Sequence, residues 1–160
     1  MSFKRSSIQP KGPFSHDLCL RKMENFCAYR ERCAKEVWAK LAELGAIGED
    51  AQQIFQVLRA DNFFDERRFA LAYAGGKFRN NHWGRVRIRM ELQMRNVPVN
   101  IIHQALNAIE AEEYETLLQK LIQKKWTQFA GDDRARDKTA AALIRTGFEH
   151  ELVFKYLPPK

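Results

Sequence analysis

Cysteine is scarce in this sequence, and so are the residues that break helices: 160 residues hold three cysteines, five prolines and eight glycines. Cys19, Cys27 and Cys33 are an odd set confined to the first quarter, without C-x-x-C spacing, which excludes a disulfide framework or a thiolate zinc site and suits a reducing compartment. The low proline and glycine content excludes a collagen-like or linker-rich chain. No run approaches the ~18 to 20 apolar residues of a membrane span. Met1 to Pro13 is basic but is not followed by an apolar stretch, so it does not read as a secretory signal, and a soluble cytoplasmic protein with no membrane partner is expected. His16, His82, His103 and His150 are scattered without a second ligand at metal spacing. No G-x-x-x-x-G-K-[ST], G-x-S-x-G or H-E-x-x-H pattern occurs, and Gly75-Gly76 is too short to cradle a phosphate. Enzyme chemistry, metal and cofactor all lack a foothold, so none is expected.

Charge and apolar residues are plentiful. Hydrophobic residues make up 45% and charged ones 29%, enough apolar material for a packed core, and the length suits one domain or a short array of small units. Lysine and arginine exceed the acids by seven, a balance that suits a polyanionic partner and is also met in proteins that are basic only for solubility. The excess is uneven. Residues 77–97 carry a net +5 and residues 98–116 a net −4, so the densest basic block sits in mid-chain.

Apolar spacing is helical almost throughout, with no alternating run and no Asn-Gly or Asp-Gly hairpin turn. Gly45, Asn96 and Gly147 each follow an amphipathic stretch, where a left-handed residue ends a helix, and they stand 51 residues apart and then 51 again. The same offset aligns Leu41, Leu92 and Leu143; Val37, Ile88 and Thr139; Phe78 and Phe129; Arg85 and Arg136; Val97 and Phe148; and Leu106 and Leu157. A period of that length means tandem supersecondary units. The spacing predicts helices over 17–31, 34–44, 50–60, 65–79, 84–95, 98–110, 112–129, 134–146 and 149–157. The expected fold is therefore all-α: three tandem three-helix repeats over 16–61, 62–110 and 111–158, in an elongated or curved array, behind a flexible basic arm over 1–15. Phe64, Asp65 and Phe69 fit a staple and N-cap, and Pro98 fits a first helical turn. The acids of Asp65-Glu66 suit the positive end of a helix better than catalysis.

In the basic block, a helix starting near Gly84 puts Ile88 and Leu92 on a core stripe, with Arg85 and Arg89 beside it. Val86, Met90 and Met94 form a second apolar stripe near Arg87, better explained as filler inside the repeat than as a contact surface. Arginine suits carboxylate and phosphate through its two-pronged donor geometry. The candidate binding residues are Lys77, Arg79, Arg85, Arg87 and Arg89, with Arg134, Arg136 and Lys138 as a second patch, each weighed against a merely solvated face. Trp83 within Phe78-Arg79-Asn80-Asn81-His82-Trp83 suits stacking on unpaired bases, though a buried anchor between repeats is the plainer role.

Three blocks carry a family resemblance. Phe64-Asp65-Glu66-Arg67-Arg68-Phe69-Ala70 is similar to F-x-D-[DE]-x-R-[FY]-A, and Trp83-Gly84-Arg85-Val86-Arg87-Ile88-Arg89-Met90-Glu91-Leu92 to Y-G-P-x-[RK]-I-x-x-E-L. Lys138 through Arg145-Thr146-Gly147-Phe148 is similar to a basic L-x-x-[RK]-G-[FY] ending. Together they resemble the RecX family of bacterial regulatory proteins over about residues 24–157. Departures are Arg85 for the usual Pro, Asn96 for Gly, and Cys33 for a capping Ser or Thr. A monomer is expected. The resemblance implies a chain with no catalytic residues that binds the groove of the RecA filament on single-stranded DNA. It implies lowered ATP hydrolysis, strand exchange and filament growth, and a place in homologous recombination and DNA repair. Single- or double-stranded DNA is a further partner to consider. The rival reading is an autonomous nucleic-acid-binding module of helix-turn-helix-like units.

Overall fold

The computed structural model describes residues 12–159; most of the arm expected over 1–15 lies outside them. Among the described residues there are nine helices and no strand, as the periodicity predicts. They are α1 (His16–Tyr29), α2 (Ala34–Glu43), α3 (Gly48–Ala60), α4 (Glu66–Asn81), α5 (Arg85–Met94), α6 (Val99–Asn107), α7 (Ala111–Gln128), α8 (Ala135–Arg145) and α9 (His150–Tyr156). Helix packing falls into three sets, α1 to α3, α4 to α6 and α7 to α9, and within each set every helix touches the other two. The chain divides into two compact units, one ending at Asp65 and the other beginning at Glu66.

One chain reversal recurs in each set. Gly45, Asn96 and Gly147 have φ of 85°, 57° and 101°, the left-handed region where a glycine or asparagine is tolerated. The next residue in each case sends its N–H back to the carbonyl five positions earlier: Ala46 to Leu41 at 3.0 Å, Val97 to Leu92 at 3.2 Å, and Phe148 to Leu143 at 3.1 Å. This is the Schellman pattern, which satisfies carbonyls that the helix end would orphan. Its apolar member is buried each time, at Ala46, Val97 and Phe148. Asn96 thus does the work of the glycine it replaces.

In the first unit, Met23, Val37, Leu41, Ile54 and Leu58 are fully buried, with Cys19, Cys27, Phe55 and Phe64 around them. Phe55 is stacked on Trp38 at 4.3 Å and meets Phe64 at 5.0 Å, so Phe64, read as a staple for α4, packs in the first core. All three cysteines are buried free thiols, and burial pushes Cys19 and Cys27 above their ordinary value, so they act as small apolar side chains. Cys33 precedes α2, and its N–H donates to Glu36 Oε2 at 3.0 Å. Both halves of a capping box are therefore present, with the Cys33 sulfur accepting from the Glu36 N–H where a hydroxyl is usual, so the cysteine does not remove the cap.

Four boundaries differ from the spacing by two or three residues: α1 ends at 29 instead of 31, α3 begins at 48 instead of 50, α4 runs to 81 instead of 79, and α6 ends at 107 instead of 110. α1 stops at Tyr29, because Arg30 is extended and turns its guanidinium to Glu31 O and the Glu36 carboxylate. Pro98 is extended and stands just before α6 rather than inside its first turn.

Candidate functional site

The basic block occupies the end of α4 and all of α5, inside the second unit. α4 ends at Asn81, and His82 takes a φ of 56°, which turns the chain so that Trp83 N–H reaches Lys77 O at 3.1 Å. That turn brings the Trp83 ring against two cations. Lys77 Nζ is 4.8 Å and the Arg87 guanidinium 3.9 Å from its centroid. Trp83 is half-buried, so it is neither the fully buried anchor nor a bare stacking platform.

Helix α5 has no capping side chain at Gly84 and is started by the third helix set instead. Gly84 N–H donates to Thr146 O and Val86 N–H to Gly147 O, each at 2.9 Å, and Arg85 N–H donates to the Tyr114 hydroxyl at 3.0 Å. The approach is so close that a Cβ on Gly84 would fall 2.2 Å from the Gly147 carbonyl. Tyr114, fully buried between Phe78 at 5.6 Å and Phe148 at 5.2 Å, donates its hydroxyl to Glu149 Oε2 at 2.6 Å. Burial and then that carboxylate push its pKa far up, so it stays a neutral donor.

Arg85 belongs to this junction and not to an outward patch. Its guanidinium stacks 3.9 Å above the Tyr114 ring and donates to Ile109 O at 3.0 Å and Leu106 O at 3.4 Å. Where the RecX pattern has Pro, this chain has an arginine that donates to a carbonyl in the last turn of α6 and to one in the loop beyond it. Ile88 and Leu92 point into the core as expected. The methionine stripe does not fill a groove: Val86, Met90 and Met94 are 36%, 58% and 65% exposed. Arg89 is exposed beside them, and Glu91 is paired with Arg95 at 2.9 Å.

The other expected residues are dispersed. Arg79 folds back over Gly75 and faces a depression of about 580 Å³ shared with His82, Glu110, Glu113 and Lys120, a lining of mixed sign unsuited to phosphate. In the second patch, Arg136 donates from Nε to Pro158 O at 3.1 Å and lies over Phe154, and Lys138 is paired with Asp132. That pairing, with the Arg134 N–H at 2.8 Å, holds the Asp132 carboxyl below the usual carboxylate range. Arg134 is exposed beside the same aspartate. The structure therefore brings Lys77 and Arg87 together around Trp83, with Arg89 on the same helix as Arg87, and ties Arg85, Arg136 and Lys138 to the protein itself. The sequence reading missed Tyr114 and Glu149, whose only sign was an aromatic at an apolar position of α7. Among the described residues, no group of three or more His, Cys, Asp or Glu is placed to hold a metal, and no helix is long and apolar enough to cross a membrane.

Comparison with known proteins falls on this region. Residues 65–106 match the family model described as RecX, second three-helix domain. The chain is 30% identical over 131 residues to "Regulatory protein RecX" of Geobacillus kaustophilus, covering 80% of this chain and 48% of that protein. It is 26% identical over 128 residues to the protein of the same name from Herminiimonas arsenicoxydans, covering 80% and 83%. It thus spans about half the length of the Geobacillus relative and most of the other. A crystal structure of RecX from Lactobacillus salivarius superposes with a TM-score of 0.81 at 19% identity, over 88% of this chain and 93% of that one. The chain resembles the RecX family in sequence and in fold, and its residues 65–106 match the model of that family's second three-helix domain.

Proposed function

We propose that this chain is a non-enzymatic regulator that binds the RecA filament on single-stranded DNA and lowers its ATP hydrolysis, strand exchange and growth. It would act as a monomer in the cytoplasm. The observation that carries the reading is the position of the family match: residues 65–106 enclose the densest basic block. Its relatives are named regulatory proteins, in keeping with a chain that binds and does no chemistry. A bound protein slows a filament only through a difference in affinity between filament states. A chain that holds neighbouring subunits in one arrangement withholds the change that accompanies ATP turnover. Lys77, Arg87 and Arg89 are the charged groups proposed to face the filament, with Arg79 and Arg134 at more distant positions.

The test is ATP hydrolysis by the cognate RecA on single-stranded DNA, titrated with this protein at fixed moderate salt, with binding to bare DNA recorded in parallel. Inhibition at concentrations too low to coat free DNA supports a filament-directed regulator. Tight, salt-sensitive binding to bare DNA without inhibition points to the nucleic-acid module instead.

A further inference from the structure

Helix α5 has an outer face whose chemistry differs from that of its flanks. At 100° per residue, Met90 stands opposite the midpoint between the buried Ile88 and Leu92. Val86 and Met94 lie one turn to either side of it and are exposed with it, a ridge about 12 Å long. Arg89 borders the ridge on one side and Arg87 on the other. The one carboxylate of the helix, Glu91, is neutralised by Arg95 at 2.9 Å. The face is thus apolar along its crest and positive along both edges.

Phosphate recognition asks for the opposite order. A sugar–phosphate backbone is met by cations and hydrogen-bond donors at the point of closest approach, and on α5 that point is a methionine. A crest of apolar side chains inside a charged rim is the layout of a protein–protein contact, where methionine and arginine are both enriched. Methionine adapts to an uneven partner surface. Arg87, with one face of its guanidinium on Trp83, keeps its edge for the two-pronged bond that a carboxylate accepts.

We infer that the Val86–Met90–Met94 ridge of α5, with Arg87 and Arg89 at its edges, docks an acidic amphipathic segment of a protein, a helix whose apolar side chains are flanked by carboxylates. The inference rests on the regulator reading and specifies which component of the filament this face meets: protein, not DNA strand. The apolar crest supplies residence, and the two arginines select carboxylates and reject basic surfaces.

The experiment uses the full chain and measures affinity for the RecA filament on single-stranded DNA and for bare single-stranded DNA. Wild type is compared with Met90→Asn, Met90→Leu and Arg89→Glu, with thermal midpoints recorded. Met90→Asn is expected to bind the filament about tenfold more weakly or worse, as a central contact residue does when its apolar group is lost. Its thermal midpoint and its affinity for bare DNA should be unchanged. Met90→Leu, which keeps the apolar bulk, should bind as wild type does. If Met90→Asn binds the filament like wild type while Arg89→Glu weakens both filament and bare-DNA binding, the face contacts phosphate; the docking inference is overturned and the regulator reading stands. A wild-type chain that does not bind the filament overturns both.

Discussion

Thr139 sits in α8 at the depth that Val37 occupies in α2 and Ile88 in α5, and all three are fully buried. Its hydroxyl oxygen has no hydrogen-bond partner, in a position whose two counterparts are aliphatic. A buried, unsatisfied hydroxyl costs about 1–3 kcal/mol relative to an apolar group of the same shape. Thr139→Val keeps the β-branched shape and removes only that cost. It should stabilise the protein by about 1 kcal/mol and raise the thermal midpoint by about 2–4 °C. Calorimetry of the two proteins checks this, and a lower midpoint for the valine variant would mean that the hydroxyl has a use. Arg85 shows the converse problem. Its place on α5, beside the core stripe, could be read from spacing. Its partners could not, because the Tyr114 ring and the Leu106 and Ile109 carbonyls come from parts of the chain with no local relation to it.

Among the elements, the start of α2 is held by charge. Burial opposes ionisation of Glu36, but hydrogen bonds from Arg30 and from the Cys33 N–H outweigh it and hold the carboxyl below its ordinary value. A carboxyl depressed in the folded state contributes stability above its unfolded value, and that stability is lost as the pH falls through the folded one. Glu36→Gln should therefore cost about 1 kcal/mol at neutral pH, the scale of a lost cap and a half-exposed ion pair. The difference from wild type should shrink as the pH drops through the carboxylate range and vanish below it. Denaturant midpoints across that range decide the matter, and a pH-independent gap would assign the loss to packing. Most of this scale was legible. Helix starts and stops are local events, and Gly45, Asn96 and Gly147 announce themselves because few residues accept a positive φ. The misplaced end of α1 depended on Arg30 turning to Glu36, which no local pattern encodes.

For the molecule as a whole, composition announced a basic protein but not how its charge is used. The fold ties Arg85 and Arg136 to backbone carbonyls and pairs Lys138 with Asp132 at the surface, while Arg89 and Arg134 are exposed and the net charge is +7. The methionine ridge escaped the sequence reading because periodicity identifies an apolar stripe without saying whether another helix covers it. Under the proposed function, the net positive charge and the methionine ridge would serve different steps of binding. A long-range field draws a basic chain to a polyanionic filament and is screened over about 10 Å at 0.1 M salt, whereas apolar contact is insensitive to screening. Raising salt from about 50 to 200 mM should therefore slow association with the RecA filament by about tenfold or more while changing dissociation little. Stopped-flow mixing followed by dilution chase separates the two rates. A dissociation rate that climbs with salt as steeply as association falls would place ion pairs, not the apolar crest, at the centre of the contact.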